Sequence, residues 1–158
     1  MGSGKSSVGK CFAERYGFAF VDTDALIEER TGRSVSELFA EKGEAYFRDL
    51  ETEVLQELVR KAKRQVIATG GGMPVRMKNQ KLLRKLGMVV YLSVTPETVL
   101  ARLEGDTTRP LLQKASRESE IRHLLTERKF VYQMTAHKVI AVDGKTVSAI
   151  AEEIHDSI

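Results

Sequence analysis

The chain has 158 residues with a formal net charge of +3; 42% of the residues are hydrophobic and 30% are charged. This balance is typical of one globular domain and excludes an intrinsically disordered chain. No apolar run approaches the roughly 20 residues of a membrane span, and the single cysteine, Cys11, cannot pair within the chain. We therefore expect a cytoplasmic protein without a membrane partner. The mild positive charge suits a small anionic ligand rather than a nucleic acid.

The chain begins with a segment that matches most of the phosphate-loop pattern G-x-x-x-x-G-K-[ST]. Its candidate ATP-binding residues are Gly2, Ser3, Gly4, Lys5, Ser6 and Ser7. Small residues let backbone N–H groups point at phosphate oxygens, Lys5 reaches the β- and γ-phosphates, and the Ser6 hydroxyl ligates Mg²⁺. The helix predicted over residues 7–16 directs its positive end at the same charge. A flexible glycine- and serine-rich start is the alternative interpretation.

The first glycine of this pattern and the strand that precedes such a loop would both fall before Met1. In phosphate-loop folds that strand lies inside the sheet, where each buried apolar side chain contributes about 1.5–3 kcal/mol. We therefore expect the natural protein to begin about ten residues earlier, enough for one strand of ordinary length. Met1 would then be an internal methionine.

Four short apolar runs predict β-strands, and none alternates cleanly, which indicates burial on both faces. The predicted strands are residues 18–21, 65–69, 88–94 and 138–142. Helical periodicity separates them, so the predicted fold is α/β with a parallel sheet. Helices are predicted at 34–63, as two helices broken at Gly43, at 96–103 after a Thr95 cap, at 116–134 and at 146–158.

Polar and glycine residues follow the first two predicted strands, where ligands of open α/β sheets bind. Asp22 and Asp24 stand two residues apart and share a face, and Mg²⁺ prefers such oxygen donors. A turn or helix cap is the alternative. The second strand runs into Gly70, Gly71 and Gly72. Three glycines lose much chain entropy on folding, which indicates that a ligand approaches the backbone closely.

Arginines occur in three further motifs. Arg48 stands three residues before Glu51 on a predicted helix, where a surface ion pair is the alternative interpretation. Arg109 lies in a polar stretch, residues 105–117, which we interpret as a mobile lid. Arg128 lies on a late helix, where an exposed arginine is the ordinary expectation.

Six motifs in chain order, GSGKS, DTD, FR-x-x-E, GGG, RPLL and ER-x-x-x-Y, resemble those of shikimate kinases over essentially the whole chain. The resemblance implies a single kinase domain over residues 1–158 with the three-layer phosphate-loop kinase fold. Its parallel sheet would have the order 2-3-1-4-5, so the strand expected before Met1 would be the central one. The lid would span about 105–117 and the substrate-binding helices about 34–63.

The resemblance further implies ATP-dependent phosphorylation of the 3-hydroxyl of shikimate, in aromatic amino-acid biosynthesis, by a monomer. Lys5 and Ser6 would bind ATP phosphates and Mg²⁺, and Asp22 would hold the metal through water. Asp24 would orient the 3-hydroxyl and accept its proton. The catalytic set would therefore be Lys5, Asp24 and Arg109.

The remaining implied roles concern the substrate and the nucleotide base. Arg48 and Arg128 would clamp the shikimate carboxylate, and the Gly71 N–H would contact a ring hydroxyl. Arg109 would close over the transferring phosphate, and Arg102 would stack on the adenine.

Two alternatives remain open at this point. A gluconate or nucleoside monophosphate kinase is one, because a nucleotide phosphate also suits a pair of arginines. A non-catalytic nucleotide-binding relative is the other, because the chain lacks the first loop glycine and its strand.

Overall fold

The structure, a computed structural model, describes residues 2–61, 63–104 and 114–158. The helices are α1 (Lys5–Tyr16), α2 (Thr23–Thr31), α3 (Val35–Lys61), α4 (Met77–Leu86), α5 (Pro96–Glu104), α6 (Lys114–Thr135) and α7 (Val147–Ser157), with a 3₁₀ helix at Met73–Val75. The strands are β1 (Ala19–Asp22), β2 (Gln65–Ala68), β3 (Val90–Ser93) and β4 (Lys138–Ala141). The predicted α/β class is confirmed. Of the helices in these ranges, none is long and apolar enough to cross a bilayer.

The four strands form two parallel pairs. β1 pairs with β2, with Ala19 opposite Gln65, and β3 pairs with β4, with Val90 opposite Lys138. The predicted order 2-3-1-4-5 counts the strand expected before Met1 as strand 1, so β1 to β4 are its strands 2 to 5. The pairs β1–β2 and β3–β4 therefore match the pairs 2-3 and 4-5 of that order. Within the described residues, no ladder joins β2 to β3. The central strand of that order stays a prediction.

A cavity of about 430 Å³ lies between β2 and β3. Residues 65–71 line it on one side and 89–92 on the other, with Val8 of α1 also in its wall. The lining is mostly apolar along the strands and includes polar residues near Lys5 and the carboxyl end of β2. Of the predicted functional residues, Lys5, Gly70, Gly71 and Arg128 line this cavity.

Buried side chains form three clusters around the two strand pairs. The first lies between α1, β3, β4 and α7, the second between α2 and α3, and the third between α3, the 3₁₀ helix and α4. Their buried members are Val8, Leu92, Ile140, Val142 and Ile150; Ile27, Leu38, Phe47 and Val54; and Leu55, Met73 and Leu83. The second and third clusters fix α3, which carries one of the predicted substrate arginines.

Several local predictions are confirmed. α3 is interrupted at Gly43, whose φ of 82° and ψ of 172° are not helical. The helix at 96–103 begins where Thr95 accepts a hydrogen bond from the Thr98 N–H at 3.4 Å. The helix predicted at 146–158 is α7, which begins after Thr146; the Thr146 hydroxyl accepts the Ala149 N–H at 3.2 Å.

Other local predictions are wrong or incomplete. β4 is not buried on both faces, because it is an edge strand whose Val139 is 51% exposed while Ile140 is buried. α2 follows β1 directly and was not predicted as a helix, although the sequence indicated Asp22 as a possible cap. α4 was not predicted either.

Leu55 tests the third cluster, because its side chain is completely buried between α3, the 3₁₀ helix and α4. We expect Leu55→Ala to lower the free energy of unfolding by about 2–5 kcal/mol, the usual effect of a large core cavity. Met77→Ala is the control, because Met77 is 71% exposed. Urea unfolding measures both; equal losses in the two variants would contradict this description of the core.

Candidate active site

The phosphate loop turns through two glycines with left-handed backbone angles. Gly2 has φ 68° and Gly4 has φ 82°, and a Cβ at Gly2 would lie 2.9 Å from Val99 Cγ1. Gly4 is the N-cap of α1 and supplies no side-chain cap. The N–H groups of the first turn of α1 are thus suited to an anion.

The other predicted phosphate-loop residues differ in exposure. Ser3 is buried, Lys5 and Ser6 are partly buried, and Ser7 is exposed. Lys5 lies at the start of α1 and is near enough to Asp24 to lower the pKa of that carboxyl, although burial has the larger and opposite effect. The lysine therefore faces the carboxylates that follow β1.

Asp22 caps α2, which was one of the two interpretations that the sequence left open, and its other oxygen contacts Ser6. Its Oδ2 accepts a hydrogen bond from the Ser6 hydroxyl at 2.8 Å. Its Oδ1 caps α2 by accepting the N–H groups of Asp24 at 3.0 Å and Ala25 at 3.3 Å. The cap fixes the carboxylate, and the Ser6 contact brings a second oxygen beside it.

These two oxygens fit the requirements of Mg²⁺. The ion is commonly bound by one or two protein oxygens together with substrate phosphates and water. Throughout the described part of the chain, no group of three or more His, Cys, Asp or Glu side chains could hold a metal. A magnesium ion here would depend on Ser6, Asp22 and nucleotide oxygens.

Two carboxylates meet next to Gly70. A Cβ at Gly70 would lie 2.7 Å from Asp24 Oδ1 and 2.8 Å from Glu51 Oε1. Both of these oxygens are buried and lack a hydrogen-bond partner. Burial raises the pKa of Asp24, and the neighbouring Asp22 raises it further. Such an oxygen is available to accept a hydrogen bond or a proton from a ligand.

Arg48 forms an ion pair inside the protein rather than at its surface. The residue is 8% exposed, and its Nη1 donates to Glu51 Oε2 at 2.7 Å. Its Nη2 donates to Glu44 Oε1 at 3.1 Å. The i,i+3 pair considered from the sequence thus exists, but α3 turns it towards the glycines after β2.

Side chains of the protein itself lie close to two of the three glycines. A Cβ at Gly72 would lie 2.1 Å from Arg48 Nη2, and one at Gly70 would meet Asp24 and Glu51. The expected approach of a ligand to the glycines stays a prediction.

Arg128 joins this group from α6. It is partly buried and lines the cavity together with Lys5 and Gly71. Burial raises the pKa of Glu51, and the charges of Arg48 and Arg128 only partly oppose that effect. The two arginines predicted to act together therefore both act on one buried carboxylate.

Sequence reasoning missed the residues that hold the backbone of this site. Thr23, which is fully buried, accepts the Gly70 N–H at 3.0 Å. Asn79, also fully buried, donates to the Met73 carbonyl at 3.0 Å and contacts Thr52 Oγ1 through its Oδ1 at 2.9 Å. Only the position of Thr23 inside the DTD motif could have indicated its role.

The segments after β3 and β4 contact each other, and α5 contacts the phosphate loop. Arg102 is exposed on α5, and its Nη1 donates to the Gly2 carbonyl at 2.6 Å. Asp143 accepts hydrogen bonds from the Thr95 N–H at 3.0 Å and hydroxyl at 2.7 Å. Arg102 is thus brought to the phosphate loop, and its stacking on adenine stays a prediction.

Arg109 and residues 105–113 of the predicted lid lie outside the described residues. Residues 114–117, the last part of that lid, belong to the start of α6.

Asp24→Asn tests the environment of this carboxyl. Because burial raises the pKa of folded Asp24 above its unfolded value near 3.8, its ionisation opposes folding at neutral pH. The stability from this group is present below the unfolded pKa and is lost as the pH rises through the folded pKa. We expect the variant to unfold at a higher temperature than wild type at pH 7, with a gain that shrinks towards pH 4.

The control is Asp49→Asn, because Asp49 lies at the surface in an ion pair with Arg76. Thermal unfolding between pH 4 and pH 7 measures both variants. A destabilised Asp24→Asn at neutral pH would show that its charge interactions outweigh burial.

Comparisons with known proteins agree over nearly the whole chain. The model of the shikimate kinase family matches residues 1–158. The shikimate kinase of Paracidovorax citrulli is 46% identical over 155 residues, covering 97% of this chain and 85% of that protein. That of Moorella thermoacetica is 44% identical over 158 residues, covering 100% of this chain and 90% of that protein.

Solved structures give the same result. The shikimate kinase from Acinetobacter baumannii in complex with shikimate matches with a TM-score of 0.90 and 39% identity, covering 99% of this chain and 87% of that one. The shikimate kinase from Aquifex aeolicus matches with a TM-score of 0.84 and 34% identity, covering 99% and 90%. With its fold, its phosphate loop and its buried arginine site in place, this chain belongs to the shikimate kinase family.

Proposed function

We propose that the residues described above perform the reaction of the family, in which ATP phosphorylates the 3-hydroxyl of shikimate to give shikimate 3-phosphate and ADP. The observation that carries this proposal is the convergence of the phosphate-loop lysine with a buried arginine–carboxylate group around the glycines that follow β2. Phosphoryl transfer requires mainly positioning and charge stabilisation, and these residues supply both.

The nucleotide would bind at the phosphate loop. The N–H groups at the start of α1 and the Lys5 ammonium would contact its phosphates, as the left-handed glycines allow. Ser6 and Asp22 would hold Mg²⁺, which neutralises phosphate charge when bound. Ser6 and Asp22 already lie in hydrogen-bond contact, at 2.8 Å, so little rearrangement is needed to present both oxygens.

Asp24 would act on the acceptor hydroxyl. Its buried Oδ1 lacks a partner, and its raised pKa makes it a better proton acceptor than an exposed aspartate. As the oxygen of the 3-hydroxyl bonds to the γ-phosphorus, the bond to ADP breaks and the hydroxyl proton passes to Asp24. Burial thus makes Asp24 a better proton acceptor, although it opposes the ionisation of this carboxyl.

Arg48 and Arg128 would bind the carboxylate of shikimate. A guanidinium offers two parallel N–H groups, which match the two oxygens of a carboxylate. Arg48 is held by Glu51 and Glu44, so its orientation is set before the substrate arrives. Glu51 therefore has a positioning role, and the Gly71 N–H would contact a ring hydroxyl nearby.

We also propose that the enzyme works as a cytoplasmic monomer in aromatic amino-acid biosynthesis. The single cysteine supports a reducing compartment. Every residue that we place in the reaction comes from one chain, which supports activity without a second copy.

The direct test is ADP release from ATP and Mg²⁺ with and without shikimate. We expect release that depends on shikimate, that disappears when EDTA removes the metal, and that is lost in Lys5→Ala. Gluconate and AMP serve as alternative acceptors. Faster release with either of them than with shikimate would contradict the proposed substrate, and no release with any acceptor would contradict the activity.

Arg48→Lys tests the carboxylate clamp. A lysine keeps the charge but loses the paired N–H geometry. Because hydrogen bonds to charged groups contribute about 1.5–3 kcal/mol, we expect the KM for shikimate to rise roughly 10- to 100-fold with little change in the KM for ATP. Arg76→Lys is the control, since Arg76 pairs with Asp49 at the surface. Steady-state kinetics measure both, and an unchanged KM for shikimate in Arg48→Lys refutes the clamp.

A further inference from the structure

The ER-x-x-x-Y motif ends with Tyr132, to which the reaction assigns no role. Its hydroxyl donates a hydrogen bond to the Gly71 carbonyl at 2.6 Å. We propose that Tyr132 is a positioning residue: by holding this carbonyl it fixes the Gly71 N–H towards the substrate and ties it to the helix that carries Arg128. This inference rests on the proposed function, because it concerns the same substrate site.

The glycine segment, Gly70 to Gly72, needs external bonds to adopt one conformation. Its residues have no Cβ, so each peptide plane rotates more freely than in other residues. The plane before Gly70 is held by Thr23, which accepts the Gly70 N–H at 3.0 Å. The next plane carries the Gly71 N–H, and its carbonyl, that of Gly70, accepts the Met73 N–H at 3.1 Å. Tyr132 holds the third plane.

None of these three bonds involves the Gly71 N–H, which is therefore available to bind a ligand. Within the described ranges, no acceptor from the protein bonds to this N–H. Its plane is held by the bond of the Gly70 carbonyl to the Met73 N–H and lies between one plane held by Thr23 and one held by Tyr132, so its direction depends on all three bonds. Loss of the Tyr132 bond would remove one of these three restraints and allow the N–H to turn away from the substrate.

Tyr132 is itself held firmly. Its ring packs against Tyr91, with 5.0 Å between ring centroids and 46° between planes. It follows Arg128 by four residues on α6, so the two side chains lie on one helix face, one turn apart. Both line the same cavity as Gly71. One helix would therefore set the distance between the group that binds the carboxylate and the N–H that binds a ring hydroxyl.

The test is Tyr132→Phe, which removes the hydroxyl and keeps the ring. We expect the KM and the calorimetric Kd for shikimate to rise about three- to tenfold, the effect of one neutral hydrogen bond. The kcat and the KM for ATP should stay within about twofold, because the N–H binds ground state and transition state alike. Tyr91→Phe is the matched control: it removes the hydroxyl of the ring that packs against Tyr132 and should change none of these values.

A set of monodeoxy analogues of shikimate separates positioning from simple packing. For the analogue that lacks the hydroxyl bound by Gly71, wild type and Tyr132→Phe should have the same Kd, whereas the difference should persist for the other analogues. Any of three results overturns the inference: a uniform difference over all analogues, an unchanged Kd for shikimate in Tyr132→Phe, or an equal change in Tyr91→Phe. Shikimate binding without turnover by wild type would contradict the proposed reaction alone, and absence of binding would overturn both.

Discussion

The buried ion pair between Arg48 and Glu51 determines the arrangement of the site. Two charges inside a protein lose much of their hydration, so such a pair persists only with close geometry and further hydrogen bonds. Here the 2.7 Å contact and the additional bond to Glu44 supply them. The guanidinium lies so close to the backbone after β2 that Gly72 has no room for a Cβ. The ion pair in this position therefore requires a glycine at residue 72.

The same group links three parts of the chain that lie far apart in sequence. Glu51 on α3 and Asp24 on α2 both reach Gly70, and Arg128 on α6 acts on Glu51. Burial raises the pKa of both carboxyls, so the site is unfavourable for stability at neutral pH. Under the proposed function, the site holds in return a proton acceptor and a carboxylate-binding arginine that are oriented before a substrate binds.

Much of the fold could be predicted because the strands are continuous apolar runs and the helices have clear caps or breaks. The break at Gly43 and the cap at Thr95 are examples of signals that depend only on local geometry. The exposure of β4 could not be predicted, because an edge strand and an inner strand of a parallel sheet can have the same apolar composition. α2 was missed because the Asp22 cap is also a plausible metal ligand, and nine residues give a weak periodic pattern.

The sequence alone determined the phosphate loop, the two aspartates after the first strand and the pair of arginines, because these depend on residue type and spacing. Only the tertiary structure decided that Arg48 is buried, that Gly70 and Gly72 make room for side chains of the protein, and that Thr23 and Tyr132 hold the glycine segment. The physical reason is that burial and hydrogen bonding between distant segments depend on how helices pack on the strands. No local pattern records that packing.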